Sequence, residues 1–234
     1  MYEGKRVSVV IPAAGSGKRM NSGNVNKVYI ELLGKTVLER TFEVFEKNEY
    51  VDRIIVAARA DEVEFCRENI LNKDRHPKLM DVIPGGAERC NSVLNALDCI
   101  DDDDIVLIHD GARPLIEDEL VCDSIKAVYE HGCCAAGVPV KDTIKIASGD
   151  FFVETPDRST LYAIHTPQGF ICGEIKADMR KCLAEGFLGT DEAVFAEKQG
   201  KKVFIVKSKY DNIKVTTSDD LIVAEAVLNK RNRE

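Results

Sequence analysis

A mostly parallel α/β sheet with helices on both faces is the fold class this sequence predicts, and three observations predict it. Short apolar runs rich in Val and Ile recur along the chain, and stretches with helical spacing separate them. The polar, glycine-bearing segments Gly15–Lys27, Gly85–Ser92 and His109–Pro114 follow such runs. Ligands sit there, beyond strand carboxyl ends, in sheets of this kind. The alternation then breaks at Lys141–Thr155, which reads as a β-hairpin arm rather than another helix–strand unit.

Val7–Ile11 is the first strand, because β-branched side chains suit a pleated, packed surface. It stops at Pro12 and runs into Ala13-Ala14-Gly15-Ser16-Gly17-Lys18-Arg19-Met20. Small residues, glycines and adjacent cations bring backbone N–H groups and positive charge to one place, as phosphate-holding loops do. Thr36–Lys47 carries Val37, Leu38, Thr41, Phe42 and Phe45 at helical spacing, with Thr36 as its N-cap. Arg53–Ala58 is a second strand, and Asp61–Leu71 a polar helix holding Val63, Phe65, Cys66 and Ile70. Leu79–Pro84 is a strand, and Glu88–Ile100 a helix with Val93, Leu94, Leu97 and Ile100 on its apolar face. Asp101–Asp104 reads as a solvated turn rather than a metal cluster. Ile105–Ile108 is the next buried strand, Glu117–Tyr129 a helix and Cys133–Val140 a strand.

In the arm, Lys141–Ala147 alternates polar and apolar residues, Ser148-Gly149-Asp150 is a turn and Phe151–Thr155 returns as a strand. An isolated hairpin is marginal in water and needs a surface to pack on. The helix–strand frame has no evident need of it, so the expectation is a homodimer built partly by this arm; the alternative is a hairpin folded back on its own domain. Ile164–Phe170 follows, then a helix near Glu174–Glu185. Thr190 resembles the N-cap of a helix through Lys198, and Lys202–Val206 is a late strand. Asn212–Thr216 reads as a short strand with Lys214 inserted, and Ser218 or Asp219 caps a last helix, Asp220–Lys230. With 234 residues the chain can bury a real core. One domain over 1–234, with the arm 139–164 inserted in it, is the organisation expected.

The net charge of −8 argues against bulk binding to nucleic acid or anionic membrane, so cations near a ligand must be placed locally. The eight cysteines form no CxxC and no zinc spacing with histidine. With no secretory signal they read as buried free thiols in a reducing cytosol, which implies a cytoplasmic protein. No apolar run approaches the roughly 20 residues that span a membrane. The opening loop is not a P-loop, because Arg19 follows Gly17-Lys18 where Ser or Thr is required. Nor is it a dinucleotide fingerprint, because the third glycine is missing. No nucleophile–base set stands out. Phosphoryl or nucleotidyl transfer to an acceptor that is already anionic needs none, only positioning and charge neutralisation.

The candidate residues follow. Lys27 lies eight residues after Arg19, at a distance that lets the loop fold it back beside that guanidinium. Arg89 and Ser92 follow Gly85-Gly86 at a helix start, a place for an anion or a base edge, though a first-turn surface residue reads the same. Asp110 follows a buried strand and is the best-placed carboxylate for Mg²⁺, with an Asx-turn acceptor as the alternative. Lys214 faces away from its apolar neighbours, toward solvent or a ligand.

Eight motifs now stand in order: PAAGSGKRM (Pro12–Met20), GGAERCNSV (Gly85–Val93), HDGARP (His109–Pro114), PVKDT (Pro139–Thr143), DRSTLY (Asp157–Tyr162), TPQGF (Thr166–Phe170), GTDEA (Gly189–Ala193) and DNIKVTT (Asp211–Thr217). By these the chain resembles the 2-C-methyl-D-erythritol 4-phosphate cytidylyltransferase family from about Val7 to Leu228. The resemblance implies a Rossmann-like nucleotidyltransferase fold whose protruding β-arm interlocks two subunits. It implies transfer of a cytidylyl group from CTP to a polyol phosphate with Mg²⁺, in non-mevalonate isoprenoid biosynthesis. On it, Arg19 and Lys27 stabilise the triphosphate and the transition state, Lys214 holds the α-phosphate and Asp110 binds the metal. The nucleotide pocket is then Ala13, Ala14, Gly15, Gly17, Gly86, Ser92 and Gly111, supported by Arg89 and Asp110. Asp142, Thr143 and Arg158 bind the sugar phosphate, Thr143 and Arg158 from the partner's arm, while Thr166 and Thr190 line the same pocket.

The departures are Asn26 and Val28 around Lys27, where many members carry Pro and Gln, and Ala87, where some carry an acid. They bear on the loop's shape, not on Lys27. A ribitol 5-phosphate cytidylyltransferase is the alternative within the class; Lys141-Asp142-Thr143, Asp157-Arg158 and Thr190-Asp191-Glu192 fit the methylerythritol version better. A nicotinamide-dependent oxidoreductase and a nonenzymatic nucleotide-sensing module are rivals from other classes.

Overall fold

The computed structural model describes residues 1–15 and 26–233. Its centre is Val7–Pro12 (β1), whose residues Val7, Val9 and Ile11 enter one apolar layer while Val10 enters the other. A strand buried on both faces belongs inside a parallel sheet covered by helices. The remaining strands are β2 (Glu31–Leu32), β3 (Lys35–Thr36), β4 (Arg53–Ala58), β5 (Leu79–Pro84), β6 (Ile105–Ile108), β7 (Cys133–Pro139), β8 (Ile146–Ser148), β9 (Phe151–Glu154), β10 (Tyr162–Ile171) and β11 (Phe204–Lys207). Seven of them form one sheet in the order β11-β7-β10-β6-β1-β4-β5. All its neighbours pair in parallel except β10, which runs antiparallel between β6 and β7.

The helices are α1 (Val37–Lys47), α2 (Val63–Phe65), α3 (Arg89–Leu97), α4 (Asp118–His131), α5 (Cys172–Ala184), α6 (Ala193–Lys198) and α7 (Ser218–Arg231). On one face Leu38, Phe42 and Phe45 of α1 pack with Val121 and Ile125 of α4. On the other, Val93 and Leu97 of α3 pack with Ile175 and Met179 of α5 and Phe195 of α6. Thr36 caps α1 in a reciprocal box with Glu39, as expected. Among the described residues no helix is long and apolar enough to cross a membrane.

The sheet order carries the functional consequence. The chain leaves β1 toward β4 and β5, then returns to the other side of β1 as β6. The crevice at that switch point, beyond the strand carboxyl ends, is where such sheets bind ligands.

Several expectations need correction. The segment around Thr166-Pro167-Gln168 does not read as a strand from its residues, yet β10 is a central strand, with a register shift between Ile164 and Gln168. The polar residues that disguise it, Thr166 and Gln168, are buried and hydrogen-bonded rather than solvated. Asn212–Thr216 is not a strand; this segment is held by Val215 N–H donating to the Ala112 carbonyl at 2.8 Å. Asp101–Asp104 is only partly a solvated turn. Asp104 is buried and accepts from Ser8 Oγ at 2.6 Å and Arg53 at 2.8 Å. The helix expected over Asp61–Leu71 is a short α-turn followed by a π-turn, Cys66–Ile70, and Phe65 is exposed. Thr190 does not cap α6; Glu192 holds the cap position and Asp191 Oδ1 accepts from Val194 N–H at 3.2 Å. Thr217, not Ser218 or Asp219, caps α7, in a box with Asp220.

The arm is present but shorter than expected. β8 and β9 pair only with each other, and Phe151, Phe152 and Val153 are 78, 77 and 60% exposed. It does not fold back on its own domain.

Candidate active site

Two hollows meet at the switch point. The larger, about 320 Å³, is lined by Pro12 to Gly15 at the end of β1, by Asn26, Lys27 and Val28, by Gly86 to Arg89 and Ser92 at the start of α3, by Asp110 to Ala112, and by Lys214. The smaller, about 190 Å³, is lined by Arg113, Ile164, His165, Thr166, Gln168, Thr190 and Asp191. Arg89, Asp110 and Lys214 line both.

Local chemistry explains the larger hollow. Ala13 N–H donates to Ala57 O and Gly85 N–H to Ala58 O, each at 2.7 Å, so the loops after β1 and β5 leave the sheet side by side. They touch so closely that a Cβ at position 85 would lie 2.6 Å from Ala14 Cβ and 2.8 Å from Ser92 Oγ. Glycine is required there for approach, not for turn geometry. Ser92 Oγ accepts from Gly86 N–H at 3.0 Å and fixes the glycine loop over the first turn of α3. Asn26 accounts for its departure from the family pattern. Buried, it donates from Nδ2 to Ala13 O at 3.0 Å and to Glu62 at 2.9 Å, and it caps the short helical turn that begins with Lys27. Lys27 is thereby tied to the end of β1. Val28 is buried in the core.

Asp110 is the electrostatic centre. Its Oδ1 lies 3.1 Å from Arg89, and its Oδ2 lies 2.8 Å from Lys214 Nζ and 3.6 Å from Arg113 Nε. Burial pushes its carboxyl up, but Arg89, Lys214 and Arg113 outweigh burial and hold it ionised well below the usual carboxylate range. Its backbone N–H donates to Thr166 Oγ1 at 3.1 Å, and the same hydroxyl meets His109 Nδ1 at 3.0 Å. Because β10 runs antiparallel, its N-terminal half overhangs the carboxyl end of β6 and delivers Thr166 to this point. His109 is fully buried; burial drives its imidazole down to about 3, so it is a neutral strut rather than an acid or base at neutral pH.

Arg89 is shared. Its Nη1 donates to Glu192 Oε1 at 2.6 Å while its Nε donates to Asp110. Glu192 has no solvent exposure, and burial raises its pKa against the pull of Arg89. Gln168 Oε1 accepts from the N–H groups of Glu192 and Ala193 at 3.0 and 2.8 Å, which locks the start of α6 beneath Arg89. Arg113 Nη1 donates to Asn212 O at 2.8 Å, and Asn212 Nδ2 donates to Thr166 O at 3.0 Å, so the segment carrying Lys214 is stapled both to the loop after β6 and to β10.

Of the residues singled out from the sequence, Ala13, Ala14, Gly15, Lys27, Gly86, Arg89, Ser92, Asp110, Gly111 and Lys214 meet around the larger hollow, and Thr166 and Thr190 around the smaller. Gly17 and Arg19 lie outside the described residues. Asp142, Thr143 and Arg158 line neither hollow; they stand on the exposed arm, where Arg158 Nη1 donates to Lys141 O at 2.7 Å. The sequence reading missed Arg113, Glu192, Gln168 and Asn212. Each lies inside a quoted motif, but nothing local marks Glu192 as the partner of Arg89, 103 positions away, Arg113 and Asn212 as partners 99 positions apart, or Gln168 as the residue that holds Asp191 and the start of α6.

No group of three His, Cys, Asp or Glu side chains able to hold a metal occurs among the described residues. Asp110 alone still suits Mg²⁺, which takes one or two carboxylates and completes its shell with water and substrate phosphates.

A family model described as 2-C-methyl-D-erythritol 4-phosphate cytidylyltransferase matches residues 7–230. A protein of that name from Caldanaerobacter subterraneus subsp. tengcongensis is 48% identical over 226 residues, covering 96% of this chain and 99% of the relative. Another from Geotalea uraniireducens is 42% identical over 98% of this chain and 99% of its own. The crystal structure of a 4-diphosphocytidyl-2C-methyl-D-erythritol synthase from Anaerococcus prevotii superposes with a TM-score of 0.86 at 32% identity, covering 97% of each chain. The enzyme of Thermus thermophilus superposes at 0.80 with 26% identity, covering 96% of this chain and 99% of its own.

Proposed function

The chain belongs to the 2-C-methyl-D-erythritol 4-phosphate cytidylyltransferase family, and we propose that its two joined hollows hold the two substrates of a single in-line transfer. The enzyme transfers a cytidylyl group from CTP to 2-C-methyl-D-erythritol 4-phosphate, in isoprenoid precursor biosynthesis. A phosphate oxygen of the acceptor forms a bond to the α-phosphorus of CTP as the bond to the β-phosphate oxygen breaks. 4-Diphosphocytidyl-2-C-methyl-D-erythritol and pyrophosphate leave.

The observation that carries the assignment of parts is the trio Arg89, Asp110 and Lys214 shared by both hollows. In this reading cytidine lies in the larger hollow, against Ala13–Gly15, Gly86 and Ser92, and the acceptor lies by Thr166 and Thr190. The reacting phosphates then meet at the shared wall. Lys214 and Lys27 offer ammonium charge where the α-phosphate gains negative charge, and Arg19 is assigned the triphosphate by its motif. Cations placed at the reacting phosphate interact most strongly with the charge that develops in the transition state, which lowers the barrier. The attacking phosphate is already an anion, so no general base is required, consistent with a neutral, buried His109. Asp110 would hold Mg²⁺, which supplies charge neutralisation to the triphosphate when bound.

The arm completes the acceptor site in this reading. An apolar hairpin tip with Phe151 and Phe152 exposed fits a second copy of the chain, and it carries Asp142, Thr143 and Arg158 to where they reach an acceptor. Pyrophosphate release measured for CTP, UTP, ATP and GTP against methylerythritol phosphate and ribitol phosphate tests the assignment. Turnover confined to ribitol phosphate would reverse the acceptor; no turnover with any pair would remove the activity. The double variant Phe151→Asp/Phe152→Asp is expected to sediment as a monomer and to show a raised KM for methylerythritol phosphate. A variant that keeps the mass of a dimer takes the arm out of the interface.

A further inference from the structure

We propose that Lys214 and a divalent cation are alternative occupants of Asp110 Oδ2, so that the lysine closes the cation site until nucleotide phosphates draw it away. The inference rests on the reading above, in which Asp110 holds the ion and Lys214 the α-phosphate.

The geometry of the cluster separates fixed cations from a movable one. Arg89 is clamped between two carboxylates, with Glu192 Oε1 at 2.6 Å and Asp110 Oδ1 at 3.1 Å. Arg113 is anchored by its 2.8 Å bond to the Asn212 carbonyl and stands 3.6 Å from Asp110 Oδ2. Lys214 has no second tether of this kind among the described residues; its Nζ rests 2.8 Å from Asp110 Oδ2 at the end of a four-carbon stem that is 38% exposed. Lysine is the side chain suited to such an exchange, being a point charge on a flexible stem rather than a rigid fork. Both carboxylate oxygens of Asp110 are thus engaged, Oδ1 by a side chain that stays and Oδ2 by one that can leave.

Charge makes the two occupants exclusive. Arg89, Arg113 and Lys214 face Asp110 and Glu192, so the cluster already carries a net positive charge of one when all five groups are ionised. A divalent ion added beside Lys214 meets an ammonium at contact distance in a buried setting, where repulsion is strong. Triphosphate oxygens change the balance. They offer Lys214 an anion of their own, and Asp110 Oδ2 is released as they arrive. Lys214 therefore senses the nucleotide, and the metal site opens only in its presence.

Binding of Mn²⁺, followed by the electron paramagnetic resonance signal of the free ion, tests this without turnover. The nucleotide-free wild type should bind Mn²⁺ weakly and the CTP complex tightly. Lys214→Met should tighten the nucleotide-free protein by about tenfold or more, and adding Asp110→Asn should abolish that gain. Lys27→Met removes a charge from the same cleft and should tighten binding far less. Equal affinity of Lys214→Met and wild type, or an equal gain from Lys27→Met, overturns the exchange. If Asp110→Asn leaves Mn²⁺ binding to the CTP complex unaltered, Asp110 does not hold the ion and the underlying reading falls instead. Should Asp110→Asn fail to fold, Mn²⁺-induced broadening of the Thr166 and His109 signals in Lys214→Met locates the ion; its absence counts against the exchange.

Discussion

Lys214→Ala is expected to lower kcat by about 10²- to 10³-fold, the loss typical for removing one group aimed at a developing oxyanion, with a much smaller change in KM for CTP. Lys214 stands at the shared wall of the two hollows, and its proposed contact with the α-phosphate strengthens as that group gains charge. The fold should survive. The side chain is 38% exposed, and its loss leaves Asp110 between Arg89 and Arg113. Thermal melts should therefore nearly coincide with wild type while single-turnover rates collapse. Turnover within twofold of wild type in a folded variant would take Lys214 out of the chemistry.

Arg89→Met is expected to act on both stability and turnover. Its guanidinium is the ion-pair partner of Glu192, a side chain with no exposure to water, and one of three cations on Asp110. Removing one member of a buried pair strands the other, at a cost of about 3 kcal/mol or more. The loss should depend on pH with a definite sign. Burial already raises the Glu192 pKa, and without Arg89 it rises further. A carboxyl whose folded pKa exceeds its unfolded value of about 4.3 is least favourable at neutral pH and regains stability as pH falls through the folded value. Urea melts at pH 7 and pH 5 should show the gap between variant and wild type narrowing on acidification. Glu192→Gln added to Arg89→Met should recover part of it at pH 7. A gap independent of pH, with no rescue by glutamine, would mean that the stranded carboxylate is not the cause.

What could be read ahead of the structure was whatever neighbouring residues decide together. Val7–Ile11, Arg53–Ala58 and Ile105–Ile108 reveal themselves as buried strands because composition and period agree locally. The Thr36–Lys47 helix shows its own cap, and the glycine-rich and acidic segments that follow strands mark the ligand end of the sheet. Twelve described candidate residues line the two hollows because such loops have one place to go once the strands are parallel. The arm was legible as a hairpin, while the exposure of Phe151, Phe152 and Val153 on it is visible only in the structure.

The rest depended on partners remote in the chain. β10 looked unlike a strand because Thr166 and Gln168 are polar, and they are tolerated in a central strand only because His109, Asp110, Asp191 and the start of α6 satisfy them. Arg89 meets Glu192 across 103 positions, and Arg113 meets Asn212 across 99. Propensity and period do not register such pairings, because the free energy of burying a charge is set by what stands opposite it after folding. The sequence by itself determined the fold class, the family and the loops that form the site. Only the tertiary structure decided which carboxylate each cation faces, and that Lys214 rests on Asp110, because those contacts exist only once the antiparallel strand has closed the sheet between β6 and β7.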